Sequence, residues 1–258
     1  MRAYLFDRCL LVQAQTLVVD RRTKPYRRLA ATIIVANRGH VVLEAGDEPP
    51  GQYEGVLVAP NMARRFIEAV DCDLTIIDAG ITSAAYRTLA PKLARSQIQP
   101  LQGETLERVR QACQHSFAAQ EMSCPKARGL FGEIVEAVAA GAPPSREIDP
   151  RVQRVLELIE ERRLDEAPVS QLAAEVGLSE SRLRALFAKE LGCNLPQVRR
   201  WMTVWKAVML WHEGLSFTDV AHAVGFYDLA HLDHVLGEAF GISPTDMVDR
   251  SKLSYQRC

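Results

Sequence analysis

The chain has 258 residues, long enough for two domains, and its 48% hydrophobic and 24% charged residues describe a globular protein rather than a disordered one. The formal net charge is −1, so a nucleic-acid-binding surface, if there is one, must be local rather than global. No stretch approaches the roughly 18 to 20 apolar residues of a membrane span, and Asp7 interrupts the opening run where a secretory signal needs its core, so the expected location is the cytoplasm, with no membrane partner.

Over residues 2–79 the apolar runs are short and β-branched: Leu10–Val12, Leu17–Val19, Thr32–Val35, His40–Leu43, Gly55–Val58 and Leu74–Ile77. Turn formers separate them at Asn37-Arg38-Gly39, from Gly46 to Gly51, and at Pro60-Asn61. Such spacing predicts a small antiparallel β barrel or sandwich over residues 1–92. A metal-binding cupin needs histidines where this chain has Tyr26-Arg27-Arg28 and Asn61 to Arg64, and a guanidinium has no lone pair to give. No metal and no cofactor are expected. Tyr26, Arg27 and Arg64, with Arg28 and Arg65 beside them, are candidates for gripping an anionic effector, because guanidinium pairs bidentately with carboxylate or phosphate. Solvated arginines at strand ends are the plain alternative.

From about Ser83 the period changes. Leu106, Val109, Cys113 and Phe117, then Leu130, Ile134 and Val138, recur at threes and fours and predict two amphipathic helices within 93–145. Their apolar stripes either cover the barrel or pair with a second copy of the chain. Gly141-Ala142-Pro143-Pro144-Ser145 reads as a linker. The six cysteines are scattered, with no C-x-x-C pair, and reduced thiols are expected of all of them.

Asp149-Pro150 pairs an N-cap with a first-turn proline and opens a C-terminal domain over 149–258. Inside it one pattern occurs twice. Leu172-Ala173-x-x-Val176-Gly177-Leu178 is matched by Val220-Ala221-x-x-Val224-Gly225-Phe226, and each copy runs through its glycine into a second amphipathic helix. Ser179 and Asp228 stand where N-caps belong, while Gly192 with Pro196 and Gly241 with Pro244 close the two copies. This is a duplicated helix-turn-helix, joined by an apolar helix over about 196–212 that is long enough to hold two recognition helices near the roughly 34 Å repeat of the major groove. Ser216-x-x-Asp219 reads as a capping box for the second copy. The copies differ in charge. From Arg182 to Lys206 six basic residues face one acid, whereas from Gly214 to Phe240 there is no lysine or arginine beside four acids.

The doubled motif, the Val224-Gly225-Phe226-x-Asp228 turn, His231 and the closing Phe240-Gly241-Ile242-Ser243-Pro244 resemble the DNA-binding domain of AraC family transcription regulators. Trp201, Ala207, Gly214-Leu215-Ser216 and Ala221-His222-Ala223 are similar to a branch with a cupin-like domain in front. The resemblance implies an α+β chain with an N-terminal sensor or dimerisation domain and a C-terminal all-α reader of promoter DNA. Carried onto this sequence, it puts Ser181, Arg182, Arg184, Ala185 and Lys189 on the exposed face of the first recognition helix, with Arg182 and Arg184 suited to guanine. Arg199, Arg200 and Lys206 are expected at phosphates. In the second unit the matching positions are Leu229, Ala230, Asp233 and His234, where few donors are available, and His231 is expected to point into the core.

The expected function is a sequence-specific, non-enzymatic transcription regulator, acting as a homodimer on double-stranded promoter DNA under control of a small-molecule effector, with RNA polymerase as a further candidate partner. One rival is a regulator that takes no effector and works through protein partners or cysteine oxidation. Another is a cysteine-based DNA repair enzyme, which needs an activated thiolate that no cysteine here has by sequence context.

Overall fold

Along Ala30 to Ala36 the side chains alternate between two separate cores: Ile33 and Val35 pack with one cluster, Ile34 and Ala36 with another. Period-two alternation with both faces buried makes this the central strand of a covered sheet. The computed structural model describes residues 1–6, 8–15, 25–94, 96–117, 122–144, 147–212, 214–240 and 254–258. They form two compact units, Met1–Ser145 with Thr245–Cys258, and Arg146–Pro244.

The first unit is built on β1 (Arg2–Phe6), β2 (Cys9–Ala14), β3 (Tyr26–Arg27), β4 (Ala30–Ala45), β5 (Gly51–Tyr53), β6 (Gly55–Val58), β7 (Ala63–Gly80) and β8 (Ile98–Pro100), with β9 (Ser254–Arg257) from the far end of the chain. The order is β8-β6-β4-β7-β2-β1-β9, with β3 beside β7 and β5 beside β4. Every pairing is antiparallel except β1 with β9.

The long β4–β7 pairing changes register between Ala36 and Arg38, between Arg38 and His40, and again between Val42 and Leu43. Such bulges bend a strand. Val41, Leu43 and Ala45 join Ile34, Val56 and Leu74 in one core. The sequence reading ended a strand at Asn37-Arg38-Gly39. The structure runs straight through, because Gly39 takes φ 69° within the strand and the Asn37 amide bonds Thr75 Oγ1 at 3.0 Å instead of closing a turn. The Leu17–Val19 run lies outside the described residues.

The outer face is covered by α1 (Ala84–Leu93), α2 (Gly103–Phe117) and α3 (Cys124–Ala139). Leu89, Val109, Cys113, Leu130 and Ile134 sit in one core with Tyr4, Leu11 and Ile33 of the sheet. The apolar stripes therefore cover the sheet. Helices α2 and α3 are the two expected within 93–145; α1 precedes them and carries its own N-cap, Ser83, whose Oγ accepts the Tyr86 amide at 3.1 Å.

Two further departures concern the chain's far end. Residues 149–258 are expected to stay together, but β9 pairs in parallel with β1, Arg2 opposite Ser254 and Leu5 opposite Arg257. A four-residue strand of mainly polar side chains carries no alternation to read. The reading of all cysteines as reduced is also corrected: Cys124, at the start of α3, is joined to Cys258 in a disulfide, 134 residues apart in sequence and Cα atoms 5.1 Å apart. Cys9, Cys72, Cys113 and Cys193 are buried and form no disulfide.

The second unit holds α4 (Pro150–Glu161), α5 (Val169–Glu175), α6 (Glu180–Leu191), α7 (Leu195–His212), α8 (Phe217–Val224) and α9 (Leu229–Phe240). Each helix-turn-helix glycine is left-handed, Gly177 at φ 65° and Gly225 at φ 89°. The backbone bonds repeat as well: Leu178 donates to Ala173 and Phe226 to Ala221, both at 2.9 Å, closing each first helix in the same way. Leu172, Leu183 and Phe187 fill the first copy, and Val220, Leu232 and Leu236 the second. On α7, Trp201 stacks on Phe240 of α9 with centroids 5.2 Å apart, and Trp205 meets the same ring edge-on at 5.8 Å. These aromatic contacts tie α9 to the connecting helix.

Candidate nucleic-acid interface

Helix α6 starts where the Ser179 hydroxyl accepts the Arg182 amide at 3.3 Å. Leu183, Phe187 and Leu191 are buried, so the helical period leaves Ser181, Arg182, Arg184, Ala185 and Lys189 exposed, as read from the sequence. Arg184 Nη2 reaches Glu180 Oε2 at 3.2 Å across one turn. That pair is half exposed and worth only a few tenths of a kcal/mol, so a stronger acceptor can take Arg184 from it. Arg182, Lys189 and Arg200 are exposed and have no ion-pair partner among the described residues.

Arg199 and Lys206 behave differently. Arg199 donates to the Leu164 carbonyl at 2.6 Å, and Lys206 Nζ donates to the carbonyls of Ile159 at 2.6 Å and Arg162 at 2.7 Å. These acceptors lie at the end of α4 and in the turn after it, carbonyls that a helix leaves without internal partners. Seven residues apart on α7, the two cations share one stripe, and that stripe meets α4. Partial burial lowers both pKa values. Both cations, expected at phosphates, cap carbonyls at and just after the end of α4 in the structure, while Arg182, Arg184, Lys189 and Arg200 are the exposed basic residues of α6 and the first turns of α7.

The second copy has a different surface. Ser216 Oγ accepts the Asp219 amide at 3.2 Å and donates to Asp219 Oδ2 at 2.6 Å, so the capping box is formed within one end of α8. Asp228 caps α9 by accepting the His231 amide at 2.7 Å. Ala230, Asp233 and His234 are exposed, Leu229 is half-buried, and His234 Nε2 lies 3.3 Å from Glu238. His231 is exposed rather than inward, standing edge-on to Phe226 with centroids 4.9 Å apart, because Leu232 and Val235 take the buried phase. Tyr227, 86% exposed, leads into this helix.

The candidate effector residues of the first unit separate. Arg27 is exposed and donates to the Asn61 carbonyl at 2.8 Å, and Arg65 pairs with Glu44 at 2.9 Å. Tyr26 and Arg64 are buried. Arg64, 1% exposed, donates from Nη2 to the Ala59 carbonyl at 3.2 Å and from Nε to that of Met62 at 3.4 Å, while its Nη1 has no partner. Burial pushes the Arg64 guanidinium down to about 10, against the favourable fields of Tyr26 and Asp78. Arg28 lies over the Tyr26 ring, 5.0 Å from its centroid, and pairs with Asp78. Asp78 is fully buried and also accepts from Thr32 Oγ1 at 2.6 Å. Arg28 thus holds the Asp78 carboxylate, and the buried Arg64 guanidinium lies within its field without bonding it. Sequence reasoning missed Asp78 and Thr32, since each sits inside an otherwise apolar strand run. Among the described residues no group of three or more His, Cys, Asp or Glu could hold a metal.

The family model for a helix-turn-helix domain matches residues 172–250, a span that takes in both recognition helices. The C-terminal domain is an AraC-type helix-turn-helix domain. Solved structures similar to the whole chain include an apo variant of ToxT from Vibrio cholerae, at 10% identity over 93% of this chain and 97% of that one, with a TM-score of 0.63. A second is wild-type ToxT from Vibrio cholerae bound to an unsaturated fatty acid, at 11% identity over 93% of each chain, with a TM-score of 0.61. At that identity the likeness is one of fold: a β-rich unit followed by the AraC-type helices, as the sequence predicts. No curated protein sequence matches the chain. In these terms the AraC-type domain offers one cationic recognition helix, α6, and one that is neutral to acidic, α9.

Proposed function

We propose that this chain is a sequence-specific DNA-binding transcription regulator, and not an enzyme, whose first recognition helix does most of the reading. The observation that carries the reading is the exposed face of α6 inside a matched helix-turn-helix domain, with Arg182 and Arg184 on it and Lys189 and Arg200 at its margin. Arg182 and Arg184 reach guanine O6 and N7 in the major groove, each good pair being worth about 1 to 3 kcal/mol of discrimination. Ser181 and Ala185 sit against base edges between them. Lys189 and Arg200 neutralise phosphates. Helix α9 docks through Ala230, Leu229 and His234, and Asp233 limits its approach to the backbone.

The domain division follows from this reading: a β sensor domain, its covering helices and linker, then the DNA-binding domain. The sensor domain takes a small anionic effector at Arg64, whose buried Nη1 lacks an acceptor while Arg28 already holds Asp78. The fatty acid in one ToxT structure supports an acid as ligand class. The protein works in the cytoplasm as a homodimer, with RNA polymerase as a partner at the promoter.

Selection of bound duplexes from a random pool, followed by titration at moderate salt, tests the reading. Enrichment of guanine-containing sites that is lost in Arg182→Ala and Arg184→Ala is the expected result. Uniform binding to all duplexes would refute it.

A further inference from the structure

We propose that Cys124 and Cys258 form a reversible thiol–disulfide modification site, and that its state decides whether the helix-turn-helix unit is joined to the sheet unit by one covalent connection or by two. The chain path supplies the logic. The unit Arg146–Pro244 is inserted within a unit made of Met1–Ser145 and Thr245–Cys258, so both of its ends lead back to the same body. The first connection is permanent. The second holds only while β9 stays on β1.

The contacts that hold it there lie along one edge: the β1–β9 pairing, Tyr255 with its buried hydroxyl, and Cys258 against the core beside Cys124. Three of the four β9 residues are exposed, and the strand lies in parallel on one edge with four register pairs. Its flanking backbone bonds run from Ser254 N–H to Met1 O at 3.0 Å and from Cys258 N–H to Leu5 O at 2.8 Å. A four-residue strand paired on one side only contributes less than a strand held on both sides. Arg128 adds one bond to the Cys258 carbonyl. The disulfide raises the effective concentration of β9 at the β1 edge, as a tether does for any weak second contact.

The other cysteines are placed to stay inert. Burial pushes the thiols of Cys72, Cys113 and Cys193 up to about 11, where almost no thiolate exists at neutral pH. Cys124 and Cys258 are half-buried instead. Cys124 opens the 16-residue helix α3, within reach of solvent at its first turn.

The reaction is thiol–disulfide exchange. The thiolate of a small dithiol attacks the Cys258 sulfur, the S–S bond breaks, and Cys124 leaves as thiolate and takes up a proton. The reductant's second thiolate then attacks its own sulfur in the mixed disulfide, releasing Cys258 as a thiol and leaving the reductant as a cyclic disulfide. Two electrons pass to the protein, and a low-molecular-weight disulfide reverses the sequence.

The test uses the full chain equilibrated with reduced or oxidised dithiothreitol. After alkylation of free thiols, peptide mapping of the oxidised protein should recover Cys124 linked to Cys258. Hydrogen exchange at the Ser254 and Cys258 amides should quicken by about tenfold or more on reduction, and should be fast under both conditions in Cys258→Ser. Affinity for a selected duplex should differ about fivefold between the two states of the wild type and not at all in Cys258→Ser. Absence of the linked peptide, exchange indifferent to reduction, or equal affinities in the two states overturns the proposal. The affinity arm rests on the DNA-binding reading. If no duplex binds in either state, that reading fails, while the peptide and exchange arms still decide the disulfide.

Discussion

Replacing Lys206 by methionine separates a capping cation from a phosphate contact. Methionine keeps most of the apolar stem and removes two charge-assisted bonds, to Ile159 O at 2.6 Å and Arg162 O at 2.7 Å. Bonds to a charged group contribute about 1.5 to 3 kcal/mol each when buried, but this ammonium is only half-buried and water can reach the freed carbonyls, so the pair together is worth about 1 to 2 kcal/mol. All three tryptophans, Trp201, Trp205 and Trp211, lie on α7, so urea unfolding followed by tryptophan fluorescence reports the DNA-binding unit alone. Lys206→Met should lower that stability by the stated amount. Its DNA affinity should keep the wild-type salt slope, since no phosphate contact is lost. Arg200→Ala, by contrast, should leave stability within about 0.5 kcal/mol and reduce the slope of log K against log salt by about 0.9. A Lys206→Met protein of undiminished stability and reduced salt slope would refute the capping assignment.

Three other outcomes follow. Arg184→Ala should cost about 1 to 3 kcal/mol against the best duplex and much less against one substituted at the contacted guanine, as read by competition titration; equal losses on both would place Arg184 at a phosphate. Gly177→Ala should cost about 1 kcal/mol for its left-handed φ, and Gly225→Ala clearly more, because a Cβ there meets Asp165 Oδ1 at 2.5 Å and the Leu164 amide nitrogen at 3.0 Å, whereas at Gly177 it meets nothing within 4 Å. Urea midpoints in the reverse order would contradict the packing at the second turn. Finally, the Cys193 thiol has a folded pKa of about 11 against an ordinary 9.0. A raised pKa gives stability that is full below pH 9 and drains away as pH rises through the window to 11, by about 1.4 kcal/mol between neutral pH and pH 10. Cys193→Ala should lose that part of the alkaline fall, and an identical pH profile in the two proteins would remove the thiol as its cause.

The helical half of the fold was legible because its signals are local: a repeated apolar spacing, glycines at equivalent turns, and caps at Ser179, Ser216 and Asp228 that all close as read. The sheet was legible as a class but not strand by strand. Its longest strand, β7, begins with Ala63-Arg64-Arg65, where Arg64 turns inward to the Ala59 and Met62 carbonyls and Arg65 reaches Glu44 on β4, a burial and a pairing that strand periodicity does not show. The same holds for the site. Exposure of Arg182 and Lys189 follows from the phase of one helix, whereas the inward turn of Arg199 and Lys206 depends on α4 lying against α7, a contact between residues more than 30 apart in sequence. Nothing in the sequence paired Cys124 with Cys258, since 134 residues separate them.

The placement of β9 also sets an order of events during synthesis. Strand β1 gains its inner neighbour β2 within a dozen residues, but its outer neighbour is made only after the whole DNA-binding unit. At about 5 to 20 residues per second, the nascent sheet carries an open edge for tens of seconds. An unpaired edge is a template for another chain's strand. The ribosome-bound intermediate is therefore the stage at which this protein is most exposed to strand exchange with its own copies, and a chaperone that shields β1 would act before the first recognition helix has emerged.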